Sequence, residues 1–409
     1  MTHAMRWPWV ICKRMEHENL PMQIVQFVHP DFLNSQSMPR FARMISQGMQ
    51  ARGHSTTEWT AKPFFYKLPF PAKLKKWLGY IDQFIVFPMQ VRRRLRQLPP
   101  DTLFVFSDQA LGPWVPLVAN RPHVIHVHDF MALRSALGEF VQNPTGWSGR
   151  QYQAMIRRGF GHGQAFISVS EKTRADLHHF LPHKPSLSEV VYNGLNFPFR
   201  RITQPECSAA LAAAGLAVPA SGFLLHVGGN QWYKNRLGVL EIYAAYVKQA
   251  QNPLPLWMVG APPTDGMKAI VQSVPSKGQV RFLAGLSDEQ VCAAYSAARL
   301  MIFPSLAEGF GWPIAEAMAC GCPVLTTNEA PMTEVAGESA FYIPKRPINN
   351  AENWAMVAAG QVMTILDSTS NEMTMRTNDG YEHIKNFNTQ LTMEQYEFFY
   401  RQILSSALS

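Results

Sequence analysis

Short apolar runs rich in Val, Ile and Phe recur along the chain, separated by stretches with helical periodicity. The first is MQIVQFV from Met22; MPRFARMISQGMQARG follows, with apolar spacing that suits a helix ending at Gly53. TLFVFS (102–107), HVIHVHD (123–129), QAFISVS (164–170) and EVVYNG (189–194) continue the series. Nearly continuous apolar strands between helices predict a parallel sheet buried on both faces. From Asn196 to Ser221 the chain is rich in Pro, Ala and Ser and reads as a linker. The alternation then restarts with GFLLHVGG (222–229), a helix through Leu240 and Tyr246, LWMVG (256–260), QVRFLAG (279–285), a helix at 287–298, LMIFPS (300–305) and CPVLTT (322–327). That last helix opens with Ser287 and Gln290 at capping-box spacing. The pattern predicts an α/β protein of two Rossmann-like domains facing a central cleft.

A length of 409 residues agrees with two domains. The expected division is an N-terminal extension over 1–21, a first domain over 22–198, a linker over 199–221 and a second domain over 222–385. A terminal helix at about 386–409 is expected to pack back on the first domain. With 47% hydrophobic and 16% charged residues the chain can build full cores. Its five cysteines are scattered, with no CxxC, which favours a reducing compartment and no structural metal. No window reaches the roughly 18 to 20 apolar residues of a membrane span. Residues 1–200 carry 24 Lys+Arg against 12 Asp+Glu, and the remainder 13 against 17, so the two halves face different partners.

The candidate chemistry centres on SLAEGFGWPIAEAMACGCP, residues 305–323. Pro313 suits a first helical turn and Gly321 a stop, which predicts a helix of about two turns with Glu308 in the loop and Glu316 in the first turn. Gly309 and Gly311 allow close backbone approach, and the helix N-terminus favours a phosphate. Two carboxylates beside an anion site make sense as acceptors for hydroxyls on either side of it, which a nucleoside diphosphate sugar offers. A dinucleotide fingerprint does not fit, because Ile314 stands where GxGxxG needs its third glycine. Taken alone, the motif also fits a Gly/Pro turn with two exposed glutamates. The chain has no Asp-x-Asp, so no simple carboxylate pair to hold a metal-bound diphosphate.

PSLAEGFGWPIAEAMACGCPVLTT resembles the signature of the retaining family 4 glycosyltransferases, with two glutamates seven residues apart. HVHD (126–129), SVSEKTRADL (168–177), VVYNG (190–194), VGGNQWYKN (227–235), VRFLAGLSDEQVCAAY (280–295) and EAPMTEVAGESAFYIP (329–344) agree in order and spacing, so the likeness covers roughly 22–345. The resemblance implies the GT-B fold and a sugar transferred from a nucleotide diphosphate donor, GDP-mannose or a UDP-sugar, to a hydroxyl of a glycan or lipid-linked glycan. Glu316 then matches the ribose-binding glutamate, Glu308 the donor-sugar contact, Lys234 the cation on the diphosphate, and His128 the catalytic histidine of the first domain. The backbone of Gly309, Phe310 and Gly311, together with Gly229, Asn235 and Ile314, falls within donor-contacting stretches, and Phe282 and Leu283 lie where the main chain meets the base. The family's arginines near the lysine are missing, with Tyr233 before Lys234; Arg236, or Arg134 from the opposing domain, could substitute. The implied route is metal-independent and needs no cofactor or enzymic nucleophile: the nucleotide leaves by the front face while its β-phosphate oxygen helps deprotonate the acceptor. A nucleotide-sugar epimerase on the same fold and a non-catalytic nucleotide-sugar-binding partner remain as other readings.

The segment KPFFYKLPFPAKLKKWLGYIDQFIVFPMQVRRRLRQ (62–97) interleaves aromatics with Lys73, Lys75, Lys76, Arg92, Arg93, Arg94 and Arg96. It fits a surface for anionic lipid headgroups, which places the protein at the cytoplasmic face of a membrane as a peripheral partner. It equally fits a helix pair with core aromatics and solvated charges. No nucleic-acid recognition motif accompanies the charge.

Overall fold

The computed structural model describes residues 20–33, 37–195 and 197–408. Residues 1–19 of the expected extension, residues 34–36 of the first loop and the side chain of Lys73 lie outside the described residues. Within the described residues the strands form two six-stranded sheets, parallel throughout. The first contains β1 (Gln23–Phe27), β2 (Ser55–Trp59), β3 (Leu103–Phe106), β4 (His123–Val127), β5 (Ala165–Ser168) and β6 (Leu187–Val190), in the order β2-β1-β3-β4-β5-β6. The second contains β7 (Leu224–Val227), β8 (Leu256–Val259), β9 (Val280–Leu283), β10 (Leu300–Phe303), β11 (Val324–Thr327) and β12 (Phe341–Ile343), in the order β12-β11-β10-β7-β8-β9. Strand order reverses between β1 and β3 in one sheet and between β7 and β10 in the other. Loops leaving such a pair diverge, and the crevice they open at the carboxyl ends is where ligands bind in this architecture.

The buried faces explain the apolar runs: every residue of β3, β4, β8 and β10 is buried, as strands covered by helices on both sides require. The terminal helix Thr389–Leu408 crosses to the first sheet, where Met393, Tyr396 and Tyr400 join a core containing Met22, Ile24, Phe41 and Ile167. His126 of the HVHD run is consumed there, with Nε2 2.6 Å from the Tyr400 hydroxyl.

The expected linker is not bare chain. It holds the helix Gln204–Ala212, opened by a capping box in which Thr203 and Glu206 satisfy each other's backbone amides. Cys207 and Leu211, one turn apart, are fully buried in the second domain's core. Composition hid the helix because Pro205 sits in its first turn behind the Thr203 cap, where proline is tolerated, while its second half is rich in Ala, the strongest helix former.

The 62–97 segment forms the helix Ala72–Ile81, a π turn at Asp82–Val86 and the helix Phe87–Leu95. Buried Asp82 accepts the amides of Phe65 and Tyr66 at 3.0 and 2.9 Å and so fixes the preceding loop. The aromatics divide: Phe87 is core, whereas Phe64, Phe70 and Trp77 are exposed, as are Lys76 and Arg92–Arg94. Among the described residues no helix is long and apolar enough to cross a membrane.

Candidate active-site cleft

The second sheet's switch point brings Lys234 and Glu308 together. After β7 the chain makes a 3-10 turn, Trp232–Lys234, and then Asn235 adopts a left-handed backbone, φ 50°, that starts the helix Arg236–Gln249. Asparagine is among the few non-glycine residues that tolerate this region. Its side chain is fully used: Oδ1 accepts the Gly238 amide at 3.2 Å, and Nδ2 donates to the Pro304 carbonyl at 2.9 Å, tying the helix start to the end of β10. Asn235, expected to lie at the donor, is a buried cap whose side chain is taken up by Gly238 and Pro304. Replacing it with alanine removes the cap and strains the left-handed backbone, an expected loss of about 2–3 kcal/mol in urea unfolding, whereas glycine should cost under about 1 kcal/mol.

Lys234 Nζ lies 2.8 and 3.0 Å from the two oxygens of Glu308, and the Ser305 hydroxyl donates to Glu308 Oε1 at 2.6 Å. Both charged side chains are largely removed from water, 14% and 6% exposed. Lys234 also sits 5.1 Å above the Phe303 ring. Such a pair is held only by its own geometry, because separating it strands a buried charge.

Gly311, with φ 104°, caps the helix Trp312–Ala319. That start places Glu316 fifth in the helix, in the second turn and not the first. Its half-buried carboxylate accepts a hydrogen bond from the Tyr295 hydroxyl at 3.0 Å, and burial pushes its pKa up to about 7, against the pull of Tyr295 and the more distant Lys234. Tyr295 is wholly buried and was assigned no role from sequence, although it closes the VRFLAGLSDEQVCAAY stretch. Phe310 and Ile314 are core side chains, and the Ile314 amide donates to the Gly311 carbonyl at 3.0 Å.

The two domains touch at this point. The Gly309 carbonyl accepts the hydroxyls of Ser170 at 2.8 Å and Thr173 at 3.2 Å, and a Cβ at Gly309 would lie 2.0 Å from the His128 carbonyl. Only glycine permits that approach. Glu334 fastens the interface nearby, its carboxylate accepting the amides of Glu171 and Lys172 at 2.7 and 2.9 Å. His128 follows β4 with its ring buried edge-on against Phe41 and Nε2 donating to the Ser107 carbonyl at 2.9 Å. Burial lowers its pKa, so the ring is neutral, with Nδ1 left as the acceptor. Beside it stands Asp129, the last residue of the HVHD run, which was given no role from sequence; burial raises its pKa to about 6, with Asp108 and Glu308 adding to the rise.

The two stand-in arginines differ. Arg134 is spent on Glu139 and on Asp176, the latter at 2.5 Å, and so is no free counter-charge. Arg236 is 2% exposed and has no carboxylate partner among the described residues. Its Nη1 donates to Asn230 and to the Ala261 carbonyl, its guanidinium lies 5.9 Å from the Phe282 ring, and its Nε and Nη2 have no hydrogen-bond partner among the described residues. Leu283 joins this side through its carbonyl, which accepts the Gly260 amide at 2.9 Å, and Gly229 stays half-buried where a Cβ would lie 2.5 Å from Gln231.

Residues 38–197 match the profile of Glycosyltransferase Family 4, and residues 215–358 match that of Glycosyl transferases group 1, about three quarters of the chain together. The chain belongs to the family 4 glycosyltransferases. It is 34% identical over 194 residues to the O-antigen chain mannosyltransferase B of Escherichia coli, a match taking in 47% of this chain and 50% of that protein. The chain thus spans half the length of this curated relative. WaaG, a glycosyltransferase involved in lipopolysaccharide biosynthesis, aligns at a TM-score of 0.66 and 17% identity over 91% of this chain and 98% of its own. Alr3699/HepE from Anabaena, solved in complex with UDP and glucose, aligns at 0.63 and 17% over 92% and 99%. These structures place the glycosyltransferase in the GT-B fold.

Proposed function

We propose that this family 4 glycosyltransferase moves a sugar from a nucleoside diphosphate donor, GDP-mannose or a UDP-sugar, to a hydroxyl of a lipid-linked glycan, with retention at the anomeric carbon and no metal ion. The observation that carries the reading is the Lys234–Glu308 pair at the switch point, next to the N-terminus of the helix that presents Glu316. A diphosphate laid there meets Lys234, Arg236 and backbone amides, with a sugar hydroxyl toward Glu308 and ribose hydroxyls toward Glu316. The C1–oxygen bond breaks with its electron pair passing to the β-phosphate, the acceptor oxygen bonds to C1 on the same face, and its proton goes to a phosphate oxygen. The protein's part is position and charge. The names of the E. coli mannosyltransferase and the UDP-bound Anabaena structure support this donor class, and the lack of Asp-x-Asp supports metal independence.

The test is a thermal-shift panel of GDP, UDP and ADP with their sugars, followed by transfer in excess chelator. One nucleotide should raise the melting temperature by several degrees, and transfer should survive chelation. A flat panel overturns the reading, and activity restored only by magnesium overturns its metal-free part.

The exposed aromatics Phe64, Phe70 and Trp77 and the exposed bases Lys76 and Arg92–Arg94 of this segment support peripheral docking on an anionic membrane from the cytoplasmic side. Each basic residue near such a surface contributes about 1 kcal/mol. Neutralising Lys76, Arg92, Arg93 and Arg94 together should abolish pelleting with vesicles containing anionic lipid; unchanged pelleting would make the face ordinary protein surface.

A further inference from the structure

Two buried thiols meet one helical turn away from the Tyr295–Glu316 hydrogen bond. Cys292 lies in the helix Asp288–Ala297 and Cys320 caps the C-terminus of the helix Trp312–Ala319, and their Sγ atoms are 3.6 Å apart. They are 4% and 1% exposed, and no step of the reaction above uses them. The other described cysteines turn elsewhere: the Cys207 thiol points to the Ile202 carbonyl at 3.9 Å and the Cys322 thiol to that of Pro323 at 3.4 Å.

The sulfur contact is one of two rungs between the same helices. Cys292 precedes Tyr295 by three residues and Glu316 precedes Cys320 by four, spacings that put each couple on one helix face. Cys292 therefore meets Cys320 where Tyr295, one turn along, donates to Glu316 at 3.0 Å. Around the rungs Ala293, Ala294, Ile314 and Ala315 are fully buried in one core. Such a close-packed interior transmits displacement, so moving the first rung moves the second. A disulfide holds its sulfurs about 2.05 Å apart, so bonding across the 3.6 Å contact closes it by about 1.5 Å.

The two sulfurs are not equivalent. In the resting dithiol Cys292 donates to the Arg200 carbonyl at 3.3 Å and accepts from the Cys320 thiol. The donation from Cys320 favours the Cys292 thiolate, whereas burial raises the pKa of Cys320, so Cys292 is the sulfur that ionises first. The backbone over Cys292 belongs to the stretch between the two domains, which has neither helix nor strand at Arg200–Ile202 and is exposed at Arg200 and Arg201. Segments of that kind open locally at low cost.

We propose that Cys292 and Cys320 form a peroxide-oxidisable dithiol whose disulfide loosens the Tyr295–Glu316 contact and weakens nucleotide binding. The Cys292 thiolate attacks hydrogen peroxide: an S–O bond forms, the O–O bond breaks, and the departing hydroxide takes up the proton that Cys292 released, as water. Cys320 then attacks the sulfenic sulfur: the S–S bond forms, the S–O bond breaks, and hydroxide leaves with the Cys320 proton as a second water. The two thiols give up two electrons and the peroxide takes them. Glu316, parted from Tyr295, loses the donor that favours its ionised form, and a protonated carboxyl is a poorer acceptor for ribose hydroxyls. Where thiols are otherwise kept reduced such a bond is transient, which suits a switch. The effect on binding rests on the ribose role given to Glu316 above.

The test uses the full chain, reduced with dithiothreitol and then treated with hydrogen peroxide. Peptide mapping should find Cys292 joined to Cys320. Calorimetry should show affinity for GDP or UDP about tenfold below that of the reduced protein, as for one weakened hydrogen bond to a charged group, and dithiothreitol should restore it. Reciprocity requires saturating nucleotide to lower the equilibrium constant for disulfide formation in a glutathione buffer by the same factor. Cys292→Ala should bind nucleotide within twofold of the reduced wild type and ignore peroxide, whereas Cys207→Ala should respond as wild type does. A different pairing, no disulfide, or an oxidised protein that binds nucleotide unchanged overturns the proposal. A reduced wild type that binds neither GDP nor UDP overturns the functional reading instead, while peptide mapping still decides the pairing.

Discussion

Glu316→Gln is expected to lower affinity for the nucleoside diphosphate at least 100-fold and at the same time to make the empty protein more stable above pH 7. The first effect follows from the role given to this carboxylate. Hydrogen bonds to an ionised acceptor are worth about 1.5–3 kcal/mol each, and two ribose hydroxyls would lose them. The second follows from burial. The Glu316 pKa rises from an ordinary 4.5 to about 7, so between those values the folded protein holds a proton that the unfolded chain has released. Its contribution to stability is therefore complete below about pH 4.5, is lost as pH rises to about 7, and is flat beyond. A tenfold change in proton affinity corresponds to about 1.4 kcal/mol, and the carboxylate's partial exposure reduces this, so the gain from glutamine at pH 8 should be about 1–2 kcal/mol and should vanish near pH 5. Wild-type nucleotide affinity should rise with pH up to about 7, while the glutamine variant should show no such rise. Calorimetry and urea unfolding at pH 5, 6.5 and 8 measure both. A variant that binds nucleotide as well as wild type removes Glu316 from the ribose.

The reason this site could be read from sequence at all is that its parts are local. The strand ending at Phe303, the glycines and Pro313 lie within a few residues of one another, and turn chemistry fixes their shape. The central strands were legible because they are buried on two faces and their apolar runs are nearly unbroken, whereas the edge strands β2, STTEW and mostly exposed, and β12, only three residues long, were not read. Ser287 and Gln290 form the capping box that their spacing implied. What sequence misplaced depended on a single φ or on a distant partner. Helix onset at Gly311 moved Glu316 by a turn, and the left-handed backbone at Asn235 makes that residue a helix cap, a role its sequence context did not announce. Arg134 looked free until Asp176, 42 residues away, came beside it. Cys292 and Cys320 are 28 residues apart, and only the packing of their two helices brings them together. The Gln204–Ala212 helix was missed because its partners, in the Asp288–Ala297 helix, come much later in the chain.

Glu308→Gln is expected to tighten binding of the bare nucleoside diphosphate while reducing sugar transfer at least 100-fold. In the empty site Lys234 is already satisfied by Glu308, at 2.8 and 3.0 Å, with Ser305 completing the carboxylate's bonds. A diphosphate must draw Lys234 away from that partner, and the separation of a buried pair opposes binding. Glutamine has no charge to hold the lysine back, so affinity for GDP or UDP should rise about five- to tenfold. The same substitution deprives the donor sugar of a charged acceptor that Glu308 can offer only once Lys234 has left it, which is why transfer should fall even as binding improves. Lys234→Met should do the reverse to binding, losing tenfold or more, and should destabilise the empty protein by about 3 kcal/mol because Glu308 is stranded. Combining the two substitutions should return most of that stability without activity, since neither side then carries an unpaired charge. Calorimetry with GDP and UDP, together with urea unfolding of the three variants, checks every arm. If Glu308→Gln weakens nucleotide binding, then the pair is part of the empty fold's support and Lys234 does not exchange it for a phosphate.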